Sequence, residues 1–253
     1  MANRTRIKIG VSPDGKNINH ECGALHPELI SRKVLEVGAD IGIALDGDGD
    51  RLIVSDENGA IVDGDHIMAI CAADLMARKK LKKKTLVSTV MSNIGLEIAM
   101  DKIGGKLVRT AVGDRYVVEN MRANKYNFGG EQSGHLIFLD HSTTGDGILA
   151  ALQLMAIMIK QNKPVSELAK IMEAFPQVLK NVRTSKKLDL DLVPNFQSSV
   201  KKMEKKLGKD GRILVRLSGT EPVVRVMLEG KDHATIGTMA DELCDILRKA
   251  DGQ

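Results

Sequence analysis

Leu86-Val87-Ser88-Thr89-Val90 is a short apolar run, and Leu96 to Ile103 follows it with helical spacing and stops at Gly104-Gly105. Leu107 to Val112 then reads as a second strand, Tyr116 to Arg122 as a second helix, and Leu136-Ile137-Phe138-Leu139 as a third strand. Short apolar runs suit buried strands, and segments of 3.6-residue period pack over them, so this alternation predicts an α/β layer fold. The pattern continues upstream. Arg6 to Val11 reads as a strand, and Pro27 to Val37 as a helix with Leu29, Ile30, Val34 and Leu35 apolar. Gly38 is placed to end that helix. Asp40 to Leu45 reads as a buried strand, Leu52 to Val54 as another closed by a Glu57-Asn58-Gly59 turn, and Ile67, Ile70, Leu75 and Met76 mark a helix from Asp65. Downstream, Ile148 to Ile159 is a strongly apolar helix, expected to be packed on both sides. Beyond Pro176 the pattern is strand Val178–Thr184, helix Val193–Leu207, strands Arg212–Leu217 and Val223–Glu229, and helix His233–Lys249. That last region predicts a small α+β domain.

Bulk composition narrows the function classes. The 253 residues are 43% hydrophobic and 28% charged, with 2% aromatics and no Trp, so Leu, Ile, Val, Ala and Met must build the core. Lys79-Lys80, Lys82-Lys83-Lys84 and the stretch from Lys201 to Lys206 have no aromatics interleaved for base stacking, which reads against nucleic acid and for solvated helix ends. A net charge of +4 favours anionic substrates. Cys22, Cys71 and Cys244 are odd in number and widely spaced, which argues against a disulfide framework or a zinc site. No signal-like N-terminus and no run of 18 apolar residues occurs, so the expected location is the cytoplasm, with no membrane partner.

Three loops carry the chemistry. Asp46-Gly47-Asp48-Gly49-Asp50-Arg51 follows a buried strand; spacing of two puts alternate side chains on one side, and the glycines let three carboxylates converge. Such carboxylates repel unless a hard cation such as Mg²⁺ sits between them. An EF-hand would use Asp46, Asp48, Asp50 and Glu57, but Arg51 stands where its sharp turn needs Gly, and the flanks read as strands. Gly129-Gly130-Glu131-Gln132-Ser133-Gly134-His135 places Glu131 and Ser133 to bond vicinal hydroxyls or an amine, with His135 a candidate proton carrier. A plain glycine-rich hairpin is the competing reading. Ser218-Gly219-Thr220 offers hydroxyls and consecutive amides, flanked by Arg216 and Arg225, which can clamp phosphate. The competing reading there is a hairpin turn with two surface arginines. Arg115, after Gly113-Asp114 at a strand end, is either a substrate contact or a surface residue behind a helix-capping Asp.

In order and spacing these loops resemble those of the α-D-phosphohexomutase family. The likeness runs from about Ile7 to about Leu247. Asn17-Ile18-Asn19, Glu21-Cys22-Gly23, Thr143-Thr144-Gly145-Asp146-Gly147 and Ser218-Gly219-Thr220-Glu221-Pro222 are most similar to its bacterial phosphoglucosamine mutase branch. The resemblance implies interconversion of a hexosamine 6-phosphate and 1-phosphate, feeding amino-sugar and cell-wall precursor synthesis. A phosphoserine donates its phosphoryl group, a bisphosphate forms and reorients, and the serine is rephosphorylated. It implies Mg²⁺ held by Asp46, Asp48 and Asp50, Arg51 beside the phosphoryl group, and Glu131 and Ser133 on the sugar. Arg216, Ser218, Gly219, Thr220 and Arg225 would grip the non-reacting phosphate, and His135 would be an acid or base. The implied cofactors are Mg²⁺ and a bisphosphate primer such as glucosamine 1,6-bisphosphate. The implied domains are 1–62, the remainder of an α/β domain II with the metal loop; 63–177, an α/β domain III with the sugar loop; and 178–253, a C-terminal α+β domain IV with the phosphate loop.

One departure is large. The family's serine lies in a Thr/Ser-Ala-Ser-His-Asn-Pro type loop on the first of four domains, and no Ser-His-Asn occurs in these 253 residues. The expectation is a truncated, split or degenerate chain that starts within domain II and needs an N-terminal phosphoserine domain supplied separately. Unpaired strand edges would favour a homo-oligomer. The alternatives are part of a phosphomannomutase or phosphoglucomutase, a non-catalytic sugar-phosphate-binding module, and, more distantly, a Ca²⁺-binding structural module.

Overall fold

In a computed structural model, which describes residues 5–185, 188–218 and 221–252, the chain divides into two units. The first comprises Met1–Ser92 with Leu96–Glu173, and the second Asn93–Gly95 with Ala174–Gln253.

The first unit opens with α1 (Glu28–Val37), which ends where Gly38 turns left-handed at φ 61° and donates its amide to Val34. An antiparallel sheet follows, β1 (Gly42–Leu45), β2 (Leu52–Ser55) and β3 (Ile61–Val62). Leu45 pairs directly with Leu52, so Asp46–Arg51 is the loop of a β1–β2 hairpin. The β2–β3 turn is tied by Asp56, whose carboxylate accepts from the amides of Asn58 and Ala60 at 2.9 and 2.8 Å.

Next comes α2 (Gly64–Ala77), capped by Asp63 and buried on most sides through Ile67, Met68, Ala69, Ile70, Cys71 and Ala72. A helix apolar all round belongs inside a core. Its buried Asp74 is matched by Arg78 at 2.7 Å and Lys160 at 3.0 Å. Burial, and then the charge of Asp74, pushes the neighbouring Cys71 thiol up to about 12. Cys22, Cys71 and Cys244 are all unpaired thiols.

A second sheet is formed by β4 (Thr85–Thr89), β5 (Lys106–Thr110), β6 (Phe128–Gly130) and β7 (Leu136–Phe138), in the order β5-β4-β6-β7. α3 (Ile94–Lys102) joins the parallel pair β4 and β5, and α4 (Asp114–Asn124) leads from β5 to β6; β7 then returns antiparallel. α5 (Gly147–Gln161) and the short α6 (Val165–Ala169) complete the unit. Leu52, Val54, Ile67, Met68, Leu86, Leu96, Phe128, Leu136 and Leu154 share one core.

Two sequence expectations fail here. Arg6–Val11 is irregular, not a strand, and Ile7, Ile9 and Val11 are 50%, 36% and 62% exposed. Apolar alternation gives only a propensity, and no strand among the described residues pairs with this segment to form a ladder. α5 is packed on one side, not both. Ala150, Ala151, Leu154 and Ile157 face the core, while Ile148, Leu152 and Ile159 form an exposed stripe at helical spacing.

The second unit contains β8 (Gln177–Arg183), α7 (Phe196–Leu207), β9 (Gly211–Leu217), β10 (Val223–Gly230) and α8 (His233–Asp251). The strands form an antiparallel sheet in the order β8-β10-β9. Val182, Val224, Val226 and Leu228 share a core with Phe196 and Met203 of α7 and with Ile236, Leu243 and Leu247 of α8. Strand pleating therefore leaves Asn181, Arg183, Arg216 and Arg225 on the opposite face. Among the described residues no helix is long and apolar enough to cross a membrane.

Candidate active site

The hairpin loop brings Asp46, Asp48 and Asp50 together, with ligand oxygens all within 4.8 Å of one another. It is the only such acidic, His or Cys group among the described residues. Local geometry accounts for the convergence. Asp46 Oδ1 accepts the Arg51 amide at 3.0 Å, and Gly49, at φ 75°, donates its amide to Asp46 O at 3.2 Å. Arg51 Nε lies 3.6 Å from Asp46 and 3.9 Å from Asp50. Glu57, the residue that would complete an EF-hand, instead accepts from the amide and hydroxyl of Ser166 at the start of α6.

The three carboxylates do not titrate alike. Burial pushes Asp46 up, but the Arg51 amide, hydrogen bonds from Asp50 and Asp48 and the Arg51 charge outweigh it, so Asp46 sits below the usual carboxylate range. Asp50 goes the other way. Burial, its hydrogen bond to Asp46 and the charges of Asp46 and Asp48 raise it, against the pull of His135. Like charges packed this closely cannot all ionise without a counterion. Asp50 Oδ1 is buried and makes no hydrogen bond. An all-oxygen donor set, mutual repulsion and an orphaned carboxylate oxygen fit a hard divalent cation of the Mg²⁺ kind.

The Glu131–His135 loop is stitched to this hairpin. Arg51 and His135 form an isolated antiparallel bridge, and the Leu52 amide donates to Gly134 O at 3.0 Å. Gly134 sits at φ 92°, and a Cβ there would lie 2.2 Å from Leu52 O. Only glycine allows that approach. His135 is buried, with Nδ1 3.0 Å from Asp50 Oδ2 and Nε2 accepting the Gly145 amide at 3.2 Å. The same segment rests on the first turn of α2. Gly64 donates its amide to Gln132 O at 3.1 Å, and a Cβ on Gly64 would meet Glu131 O at 2.3 Å. Glu131 Oε1 accepts the Gly113 amide at 3.1 Å, and Ser133 is exposed. Gly113 thus brings the head of α4 beside the loop. Arg115 itself is exposed and pairs with Glu119 at 2.7 Å one turn along. That bond, foremost, raises its guanidinium above its ordinary value.

Sequence reasoning did not assign the turn before α5 to the site. Gly147 donates its amide to Gly49 O at 2.9 Å, and a Cβ on Gly147 would meet Arg51 O at 2.6 Å. Asp146 caps α5 through the Leu149 amide at 2.9 Å. The available signal was the Gly145-Asp146-Gly147 alternation, which repeats the glycine spacing of the metal loop.

In the second unit, strand register sets Asn181, Arg225 and Arg216 in one cross-strand row. Ser218 is buried, donates its amide to Val223 O at 2.8 Å and accepts the Glu221 amide on Oγ at 3.4 Å. Gly219 and Thr220 lie outside the described residues. A cavity of about 370 Å³ is lined by Asn181, Arg183, Glu221, Arg225 and Arg248 among others, and Arg225 Nε is buried without a hydrogen-bond partner among the described residues. Arg183 and Arg248 are further cationic residues that the sequence did not single out. Each reads locally as an ordinary surface arginine.

Comparison with known proteins agrees with this layout. Residues 63–175 match the family model "Phosphoglucomutase/phosphomannomutase, alpha/beta/alpha domain III", and 159–246 match "Phosphoglucomutase/phosphomannomutase, C-terminal domain". The chain belongs to the phosphohexomutase family. Among curated members, the phosphoglucosamine mutase of Desulfotalea psychrophila is 67% identical over 241 residues, covering 95% of this chain and 54% of its own. That of Myxococcus xanthus is 62% identical over 244 residues, covering 96% and 53%. The chain thus spans about half the length of the curated phosphohexomutases it matches. A solved structure of Aspergillus fumigatus N-acetylphosphoglucosamine mutase superposes with a TM-score of 0.74 at 23% identity, over 92% of this chain and 53% of that one. Another, in complex with GlcNAc-6P and magnesium, has a TM-score of 0.70, also at 23% identity, covering 92% and 54%. At that identity the likeness is one of fold.

Proposed function

We propose that this chain carries the metal, sugar and distal-phosphate grips of a phosphoglucosamine mutase, an isomerase that interconverts glucosamine 6-phosphate and glucosamine 1-phosphate. The observation that carries the reading is the convergence of Asp46, Asp48 and Asp50 in a hairpin loop bridged directly to the Glu131–His135 loop. Relatives of that name at 56–67% identity across nearly the whole chain support the choice of sugar.

In this reading Asp46, Asp48 and Asp50 hold a Mg²⁺ ion, which supplies charge neutralisation for the transferring phosphoryl group. Arg51, held beside these carboxylates by its own amide, presents its guanidinium to the same group. Glu131 and Ser133 orient the sugar hydroxyls and amine. Glu131 is pre-positioned by the Gly113 amide, and Arg115 lies at the head of the adjoining helix. Arg216, Ser218, Gly219, Thr220 and Arg225, joined by Arg183, hold the phosphate that is not being transferred. Phosphoryl transfer needs positioning and electrostatics more than covalent chemistry from the protein. The phosphoryl carrier itself is a serine loop of the Ser-His-Asn kind, supplied from outside these 253 residues, and a glucosamine bisphosphate primes the cycle.

The test is a coupled mutase assay on glucosamine 6-phosphate with Mg²⁺ and a bisphosphate primer. It is run on the chain alone and with the N-terminal half of the Desulfotalea psychrophila relative added in trans. Turnover only in the mixture supports the reading. Turnover by the chain alone would mean that another residue carries the phosphoryl group, and a strong preference for mannose phosphates would reject the glucosamine assignment.

A further inference from the structure

We propose that Gln132 is a positioning residue for hexosamine-phosphate binding: its side-chain amide, tied to Asp63 at the head of α2, sets how the neighbouring Glu131 and Ser133 are presented. The proposal rests on the reading of Glu131 and Ser133 as the sugar grip, and it gives a task to the residue between them that the sequence left without one.

The backbone comes first. Glu131–Gly134 is a β-turn closed by the Gly134 amide on Glu131 O at 3.0 Å, and Gln132 is its first corner. A turn of four residues can pivot about its ends as a unit, so its corner needs a hold. The first turn of α2 holds it twice. The Gly64 amide donates to Gln132 O at 3.1 Å, and Gln132 Nε2 donates to Asp63 Oδ2 at 3.3 Å. The approach is close, since a Cβ on Gly64 would lie 2.3 Å from Glu131 O and 2.7 Å from Gln132 O.

Asp63 is suited to this work. Its Oδ1 meets the His66 amide at 3.1 Å, as the cap of α2, and His66 Nδ1 at 2.7 Å. Those bonds fix the carboxylate plane and leave Oδ2 for Gln132. Only a donor can face a carboxylate oxygen, so the Gln132 nitrogen points at Asp63. Gln132 thus turns its polar end toward α2, and a side chain bonded inside the protein acts on a ligand through its neighbours. Glu131 has a separate tether, the Gly113 amide on Oε1 at 3.1 Å, and Ser133 is exposed. With the corner released, the turn would shift both residues together, and a displacement of about 1 Å in a positioned group can cost on the order of 100-fold.

The experiment is titration calorimetry of glucosamine 6-phosphate against the full chain, with hydrogen exchange of the Gly134 amide followed by NMR. The variants are Gln132→Ala, Gln132→Glu, Asp63→Asn and the double variant Asp63→Asn/Gln132→Glu. Gln132→Ala should bind about 3–10-fold more weakly. Gln132→Glu sets two carboxylates against each other and should lose at least about 10-fold. In Asp63→Asn the cap survives on Oδ1 and the Gln132 amide can turn over to accept, so affinity should stay within about threefold of wild type. The double variant exchanges donor and acceptor and should also return to within about threefold. Exchange at Gly134 should quicken in the two Gln132 single variants and slow again in the double one. Affinity indifferent to Gln132→Ala and Gln132→Glu would overturn the proposal. A double variant as weak as Gln132→Glu would overturn it too, because Gln132 would then meet the sugar itself. Should Gln132→Glu fail to fold, Gln132→Ala decides, and unchanged affinity there overturns the proposal. Absence of binding by the wild type would reject the sugar-grip reading on which the proposal rests, whereas binding indifferent to Gln132 would reject only the role of Gln132.

Discussion

The aspartate loop and the arginine row both gather like-charged side chains on paired strands, but they are held in different ways. Asp46–Arg51 is fastened by bonds from outside its own hairpin: Gly134 O to the Leu52 amide, the His135 ring to Asp50, and the Gly147 amide to Gly49 O. Arg216 and Arg225 are placed by the register of β8, β10 and β9. Side-chain length explains the contrast. An aspartate carboxylate sits one methylene from its backbone, so its position is decided by where the backbone is put. A guanidinium reaches several bonds out and finds a phosphate by adjusting its own torsions. Short ligands need a scaffold, and long ones need only a strand.

Substitutions can break that contrast. Gly134→Ala combines a left-handed φ with a Cβ position 2.2 Å from Leu52 O. It should cost about 3–4 kcal/mol of stability in urea unfolding and weaken Mn²⁺ binding without touching a ligand. Gly104→Ala is its control. Its φ is 72°, nothing lies within 4 Å of the new Cβ, and the cost should be about 1 kcal/mol. A smaller cost at Gly134 than at Gly104 would show that the loop is not scaffolded as described.

Asp48→Ala removes the exposed member of the acidic trio. Mn²⁺ affinity should fall about 100-fold, with the melting temperature of the metal-free chain unchanged or raised, because like-charge repulsion is relieved. In the arginine row, Arg225→Ala should weaken phosphate-ester binding by about 10–30-fold, Arg225→Lys should recover only part of it, and Arg183→Ala should cost about fivefold. Equal effects at Arg183 and Arg225 in titration calorimetry would mean that the 370 Å³ cavity is the grip itself and not its margin.

The smallest effect concerns the first turn of α2. Burial lowers the pKa of His66, but the hydrogen bond and charge of Asp63 outweigh it and raise it above 6.5. Asp63, raised by burial, ends below 3.8 through its bonds to His66 and the charge beside it. The histidine's contribution is complete below 6.5 and fades as pH rises through its elevated value. The aspartate's is complete above 3.8 and fades as pH falls through its depressed one. Wild-type stability should therefore decline by about 0.5 kcal/mol between pH 6 and pH 8.5, and His66→Gln should flatten that slope.

Much of this was legible in the residues. Helical spacing with Gly38 behind it gave α1 almost to the residue, and the β4-to-α4 alternation gave the strands and helices of an α/β layer, though not that β4 and β5 are parallel. β6 was not legible because Phe128-Gly129-Gly130 has almost no side-chain pattern. Its glycines answer to neighbours instead, since a Cβ on Gly129 would lie 2.7 Å from both Met121 Sδ and Val87 O. Arg6–Val11 misled for the converse reason, having a strand's alternation without a strand beside it. The aspartates, arginines and Glu131 could be named as candidates from spacing, but Arg183 and Gly145 could not. One acquires its place from strand register and the other from a ring ten residues earlier.

The ties around the aspartate loop also set an order of events during synthesis. Asp50 leaves the ribosome 85 residues before the histidine that contacts it, and Gly147, which fastens Gly49, follows later still. Closing such long loops is entropically uphill until the core supplies compensation. A nascent chain stopped short of α5 would carry every acidic ligand and no site. On the proposed reading, metal uptake is a late readout of folding, and a cation that fits the finished loop stabilises only the finished unit.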